Sequence, residues 1–218
     1  MCTPTQYGTL TGRYSWRSRL KSSVLTRKSK ALIPSSRTTV DSMLKSNGYQ
    51  TAFIGKWHLG DRAGHLPNDF GFDNYYGVHY SNDMIPLHIY RNDKIEVVDK
   101  TELADGEGNF VTGKLSYVDP ETPLKTKGVD QTNLTENYTK EAVRFIEQNK
   151  DNPFFLYFAH SFPHVPHFAS TKHAGQSEGG LYGDVIEDLD RSVARIIKTL
   201  EQQNLLENTI VIITSDTD

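Results

Sequence analysis

An α/β layered fold with a mainly parallel sheet is predicted from two observations. Helical stretches lead into short apolar runs at three places along the chain. The last two of those runs are continuously apolar instead of alternating, which is how a strand covered by helices on both faces reads. Helices alternating with such strands are the order of a layered α/β domain.

The elements follow in chain order. Thr3 suits a helix cap, Pro4 suits the first position and Gly12 suits the stop, so a short helix is expected over 3–12, with Cys2 just ahead of it. The amides and dipole at a helix start favour an anion and lower a thiol's pKa. Taken alone, a cysteine there is as compatible with an inert thiol as with a functional one. Residues 13–30 carry Arg13, Arg17, Arg19, Lys21, Arg27, Lys28 and Lys30, read as a solvated loop, with an anion-binding rim as the functional alternative.

The first helix–strand unit is a helix over 38–46, with Val40, Met43 and Leu44 on one face and Asn47-Gly48 as its stop. The apolar run Thr51-Ala52-Phe53-Ile54 follows. Between 60 and 130 turn residues are dense (Pro67, Asn68, Asp69, Gly71; Asp105, Gly106, Gly108, Asn109). Loops and small strands are expected there, one of them at Lys94-Ile95-Glu96-Val97-Val98.

The second unit starts near Asn133 with Glu136 as a capping-box partner and Leu134, Tyr138, Ala142, Phe145 and Ile146 at helical spacing. Asp151-Asn152-Pro153 breaks it, and Phe154-Phe155-Leu156-Tyr157-Phe158-Ala159 follows. The third unit aligns Leu181, Val185, Leu189, Val193, Ile196, Ile197 and Leu200 on one stripe, then runs into Thr209-Ile210-Val211-Ile212-Ile213-Thr214.

Composition narrows the function classes. Hydrophobic residues at 36% and charged residues at 23% are those of a globular domain with enough apolar content for a core. A net charge of −3 gives the whole molecule no electrostatic case for nucleic acid or a membrane surface. No apolar stretch approaches the roughly 20 residues of a membrane span. Cys2 is the single cysteine, so no internal disulfide forms. The sequons at Asn133 and Asn137 are short enough to arise by chance.

In open α/β sheets ligands bind beyond the carboxyl ends of the strands. After the first apolar run come Lys56 and His58, two apart and so on one side of a continuing strand. After the second come His160, His164 and His167 in a proline-stiffened loop. After the third comes Asp216. Lys56 as a plain surface lysine and His164 as a backbone-bonded loop histidine are the bland alternatives. A zinc site at the three histidines lacks a Glu or Cys ligand at suitable spacing.

These residues resemble the type I sulfatase family, in its arylsulfatase A-like branch. Cys2-Thr3-Pro4-Thr5-Gln6, running on to Leu10-Thr11-Gly12-Arg13, resembles the family's formylglycine motif, Cys-x-Pro-x-Arg followed by Leu-Thr-Gly-Arg. The run from Gly48 through Lys56-Trp57-His58-Leu59-Gly60 resembles its second signature. Gly71-Phe72-Asp73, Tyr80-Ser81-Asn82-Asp83, and the stretches 153–166 and 181–216 resemble later blocks, so the likeness spans essentially the whole chain.

The resemblance implies an alkaline-phosphatase-like fold, a large mixed sheet between helices, and hydrolysis of sulfate monoesters. It implies that a formylglycine-generating enzyme converts Cys2 to formylglycine, whose hydrated form is the nucleophile. Lys56 would hold sulfate oxygens, His58 would assist the nucleophile, and His164 would bind sulfate or protonate the leaving oxygen. Ser81 would contact sulfate, and Asp216 would be a ligand of a calcium ion. A sulfated small molecule or glycan is the implied substrate, and a secreted, lysosomal or periplasmic setting the implied location.

Gln6 stands where the family has arginine, keeping hydrogen bonds without the cation, and Thr217 replaces an asparagine. The paired metal-binding aspartates of the family precede its cysteine motif, and a second lysine lies beyond residue 218. The expectation is therefore a single catalytic domain over 1–218, incomplete at both ends and inactive when isolated. A phosphodiesterase or phosphonate hydrolase on the same scaffold, and a degenerate relative that only binds sulfated glycans, are the alternatives.

Overall fold

The computed structural model describes residues 2–27, 29–99 and 128–215. Among these the helices are α1 (Cys2–Thr11), α2 (Val40–Ser46), α3 (Pro67–Phe70), α4 (Leu134–Gln148) and α5 (Gly180–Gln202). The strands are β1 (Gln50–Lys56), β2 (Asn74–Val78), β3 (Ile89–Arg91), β4 (Lys94–Val97) and β5 (Phe154–Ala159). They form one mixed sheet in the order β4-β3-β2-β1-β5. β1 lies parallel to both β2 and β5, while the β3–β4 hairpin adds antiparallel strands at one edge.

β1 lies between β2 and β5 and is buried on both faces beyond Gln50. On one face Ala52 and Ile54 pack with Tyr76 and Val78 against Leu134, Tyr138, Ala142 and Phe145 of α4, and Val185 of α5. On the other, Phe53, Trp57 and Tyr75 pack against Tyr7 and Leu10 of α1 and against Leu25, Leu32, Ile33, Phe70 and Phe72. The period-2 alternation of β1 thus feeds two cores, and the layered α/β expectation holds.

The strands approach most closely through glycine. Gly55 sits in register with both Gly77 and Ala159 at φ +116°, and a Cβ on it would lie 1.7 Å from the Ala159 carbonyl oxygen. Only a residue without a side chain fits there.

Several expectations change. α1 starts at Cys2, so the cysteine lies inside the first turn and not ahead of it. In α2, Thr39 forms the cap, with Ser42 as its box partner, and the buried residue is Asp41, while Met43 is 48% exposed. The 3₁₀ turn Gln131–Asn133 leads into α4, and Asp130 caps it by accepting from the Thr132 amide. The expected Asn133–Glu136 capping box does not form, because Glu136 instead pairs with Lys140 and Arg195.

The largest change is at 209–214. This apolar run has no strand partner among the described residues, and Ile210, Ile212 and Ile213 are 90%, 81% and 70% exposed. β-branched composition suits a strand, but a ladder needs an edge to bond to, and none of the described strands lies against it. Lys28, the turn cluster at Asp105, and Asp216 with Thr217 lie outside the described residues.

Candidate active site

Helix α1 brings one face against the end of β1. Cys2, Thr3 and Gln6 recur at i, i+1 and i+4, the spacing of neighbours on one helical face, and all are buried. The Lys56 ammonium, itself 5% exposed at the last position of β1, donates to Cys2 Sγ at 2.8 Å. Gln6 Nε2 donates to the Lys56 carbonyl at 2.8 Å, and Gln6 Oε1 is a buried acceptor without a partner. A cation held at this distance in a dry interior stabilises negative charge at the Cys2 position far more than it would in water.

His58 is placed by a closed set of hydrogen bonds. The Thr3 hydroxyl donates to the His58 carbonyl at 2.9 Å and accepts from the Leu25 amide at 3.0 Å. The Leu25 carbonyl lies 3.2 Å from His58 Nε2. A carbonyl can only accept, so Nε2 carries the proton and Nδ1 is bare. Nδ1 is buried with no partner. Burial first, and then the charge of Lys56, push the His58 pKa down to about 3, so the ring is neutral. The residue adopts φ +55°, the left-handed region that non-glycine residues enter only when their surroundings hold them there. The hydroxyl of Thr3 is thus spent on this network and does not cap α1.

Ser81 follows β2, next to β1, in a turn closed by the Met84 amide on the Ser81 carbonyl at 3.0 Å. Its hydroxyl is buried and unpartnered. Asn82 ties this turn to the loop after β5, donating to the Pro166 carbonyl at 3.0 Å. That loop carries His164, whose Nδ1 lies 2.6 Å from the Val165 carbonyl. Lys56, His58, Ser81 and His164 therefore lie at or just past the carboxyl ends of β1, β2 and β5, as the strand-end reasoning expects, and Lys56 reaches Cys2.

The loop histidines hold separate partners. His160 Nε2 lies 3.2 Å from Ser192 Oγ, and His167 Nε2 lies 2.8 Å from the Pro163 carbonyl.

Sequence reasoning missed Thr3 and Leu25, and it missed the Arg27 cluster. Arg27 donates to the Pro86 carbonyl at 2.6 Å, lies 3.8 Å from Asp61, and stands over the Tyr80 ring at 5.7 Å. Tyr80 in turn meets the His58 ring edge-on at 5.6 Å. The local patterns that mark Thr3 as a cap and Arg27 as part of a basic run do not show these roles, because the partners lie far away in the chain.

Calcium takes several oxygen ligands. Among the described residues no three His, Cys, Asp or Glu side chains converge, and Asp216 lies outside them. Formylglycine fits better: an oxygen-bearing group on the residue-2 side chain would stand within reach of Lys56.

Fold and site together define a class, an α/β protein with a cation-lined site at the carboxyl ends of parallel strands. The chain belongs to the sulfatase family, whose model matches residues 1–217. It is 32% identical to the N-acetylgalactosamine-6-sulfatase of Mus musculus, over 99% of this chain and 41% of that protein. It is 30% identical to the N-acetylgalactosamine-6-O-sulfatase of Bacteroides thetaiotaomicron, over 98% of this chain and 49% of that protein. A solved structure from work on the metabolism of multiple glycosaminoglycans by Bacteroides thetaiotaomicron superposes with a TM-score of 0.77 at 27% identity, over 96% of this chain and 51% of that one. The mixed, helix-flanked sheet and this superposition bear out the alkaline-phosphatase-like fold. The chain spans less than half the length of these curated relatives. Among the described residues no helix is long and apolar enough to cross a membrane.

Proposed function

We propose that this chain carries the nucleophile half of a sulfate-monoester hydrolase, with formylglycine made from Cys2 by a formylglycine-generating enzyme. One observation carries this: the buried Lys56 ammonium lies 2.8 Å from the Cys2 side chain, in the first turn of a helix. When formed, the hydrated aldehyde supplies one hydroxyl to attack sulfur and a second whose deprotonation releases sulfate.

The residues divide the remaining work. Lys56 binds a sulfate oxygen and offsets charge as it builds. The Ser81 hydroxyl, unpartnered in the interior, donates to another oxygen. His58 accepts the proton at Nδ1, because Nε2–H is committed to Leu25. His164, on its loop, protonates the departing alkoxide, a role worth about 10²–10⁴-fold. A calcium ion is the expected metal, with Asp216 as one ligand. The relatives' names make a sulfated sugar the first substrate class to try.

The test is expression with a formylglycine-generating enzyme and mass analysis of the peptide holding Cys2, followed by sulfate release from 6-sulfated N-acetylgalactosamine. Aldehyde at residue 2 is the expected result for this chain, and sulfate release is expected only of a protein that also carries the family's paired aspartates and second lysine. A persistent thiol, with Gln6 in the arginine position, overturns the formylglycine reading. Preference for an aryl phosphodiester overturns the sulfatase reading.

A further inference from the structure

The first 40 residues contain no Asp or Glu, yet hold Arg13, Arg17, Arg19, Lys21, Arg27, Lys28, Lys30 and Arg37, in a chain whose net charge is −3. This segregation of charge is not absorbed by the catalytic site. Arg13, Arg17, Arg19, Lys21 and Lys30 are all exposed, and among the described residues none of them meets a carboxylate. Arg19 and Lys21 brace the loop instead, donating to the carbonyls of Lys30 and Trp16 respectively, and neither pairs with a carboxylate among the described residues.

Two aromatic residues stand among these cations. Tyr14 and Trp16 stack with ring centroids 4.1 Å apart and planes 9° from parallel, and are 65% and 58% exposed. Water gains nothing from such a pair, and an exposed apolar platform ringed by charge is how a recognition surface looks.

The loop also has a direction. It leaves the far end of α1, about 15 Å from Cys2 at 1.5 Å per residue. It returns to the nucleophile's end where the Leu25 amide meets Thr3, and Arg27 then stands over Tyr80 against His58. Along the sequence, the cations of this loop thus join the aromatic pair to the segment that contacts Thr3 and Tyr80.

We propose that residues 13–27 form a subsite for the continuation of a sulfated oligosaccharide, with sugar rings lying on Tyr14 and Trp16 and sulfate groups facing Arg13, Arg17, Arg19 and Lys21. The subsite rests on the reading of the site as acting on sulfated glycans, and it makes a chain, not a single sugar, the preferred ligand. An oligosaccharide supplies both the flat, weakly polar ring faces and the repeated anions that this surface matches.

The test uses tryptophan emission. The chain has two tryptophans, and Trp57 is fully buried, so a ligand-induced change reports Trp16. A sulfated glycosaminoglycan oligosaccharide is titrated against its desulfated counterpart and against a sulfated monosaccharide. The sulfated oligosaccharide should shift the emission, and the other two should not. Trp16→Ala should abolish the shift. By an emission-independent binding assay, Tyr14→Ala and the double variant Arg13→Gln/Arg17→Gln should each weaken binding roughly tenfold. Raised salt should weaken it as well.

Unchanged emission with the sulfated oligosaccharide, or wild-type affinity in the variants, overturns the proposal. Lys56→Ala separates it from the catalytic reading: it should abolish turnover and keep the Trp16 response. Conversely, a protein that hydrolyses the monosaccharide sulfate but shows no Trp16 response keeps the proposed function and loses the subsite.

Discussion

Replacing Thr3 by valine tests how His58 is held. The substitution keeps shape and volume and removes only the hydroxyl. That hydroxyl satisfies two buried backbone groups, the His58 carbonyl at 2.9 Å and the Leu25 amide at 3.0 Å. Leaving a buried polar group unpaired costs about 1–3 kcal/mol, so the pair should cost about 2–6 kcal/mol. Against a total stability of about 5–15 kcal/mol, this is a large fraction. Thermal or urea unfolding should show the loss, and Thr3→Ser, which restores the hydroxyl, should recover most of it. A second readout separates positioning from stability. Nitrogen-15 shifts of the His58 ring report which nitrogen carries the proton. In the wild type and in Thr3→Ser, Nε2 should be protonated; in Thr3→Val, with residue 58 released from φ +55°, the ring should sample both tautomers. If Thr3→Val unfolds at the wild-type midpoint with the Nε2–H tautomer intact, the clamp reasoning is refuted.

Other outcomes follow from the same geometry. Gly55→Ala should break the β1–β5 pairing beside Lys56, since its Cβ would lie 1.7 Å from the Ala159 carbonyl oxygen; the expected result is loss of cooperative unfolding or of soluble expression, and a well-folded Gly55→Ala would contradict it. Burial holds the pKa values of His58 and His79 at about 3 and that of His160 at about 4. The unfolded chain takes up these protons near pH 6.5 and the folded chain does not, so stability should be complete above about pH 6.5 and fall as pH drops toward 4. A flat unfolding midpoint between pH 7 and 5 would count against this. Asp41 is buried, and burial pushes its pKa up against the lowering pull of the Thr39 hydroxyl and the first-turn amides. Asp41→Ala should therefore stabilise the protein, by about 1 kcal/mol at neutral pH. A lower unfolding midpoint for the variant would show that the carboxylate is better solvated than its surroundings suggest.

Much of this protein is legible in its residues because the relevant physics is local. The helical spacing of Leu134, Tyr138, Ala142, Phe145 and Ile146 required a buried helical face, and α4 buries all five. Phe154 to Ala159, apolar without alternation, pairs in parallel as expected of a strand between helical layers. Cys2, Lys56 and His58 were marked by their motifs, and the structure brings them to one place. Other features depend on what the chain meets after it folds. The run Ile210-Val211-Ile212-Ile213 is as strand-like in composition as β5, yet it has no partner among the described residues, because a ladder is made by a neighbour and not by a segment. Likewise the tautomer of His58 is decided by Leu25, 33 residues away, and by Thr3, 55 residues away. Periodicity and motif are properties of a short stretch of chain. Hydrogen-bond closure, burial of a charge and the aim of a histidine nitrogen arise only where distant stretches meet.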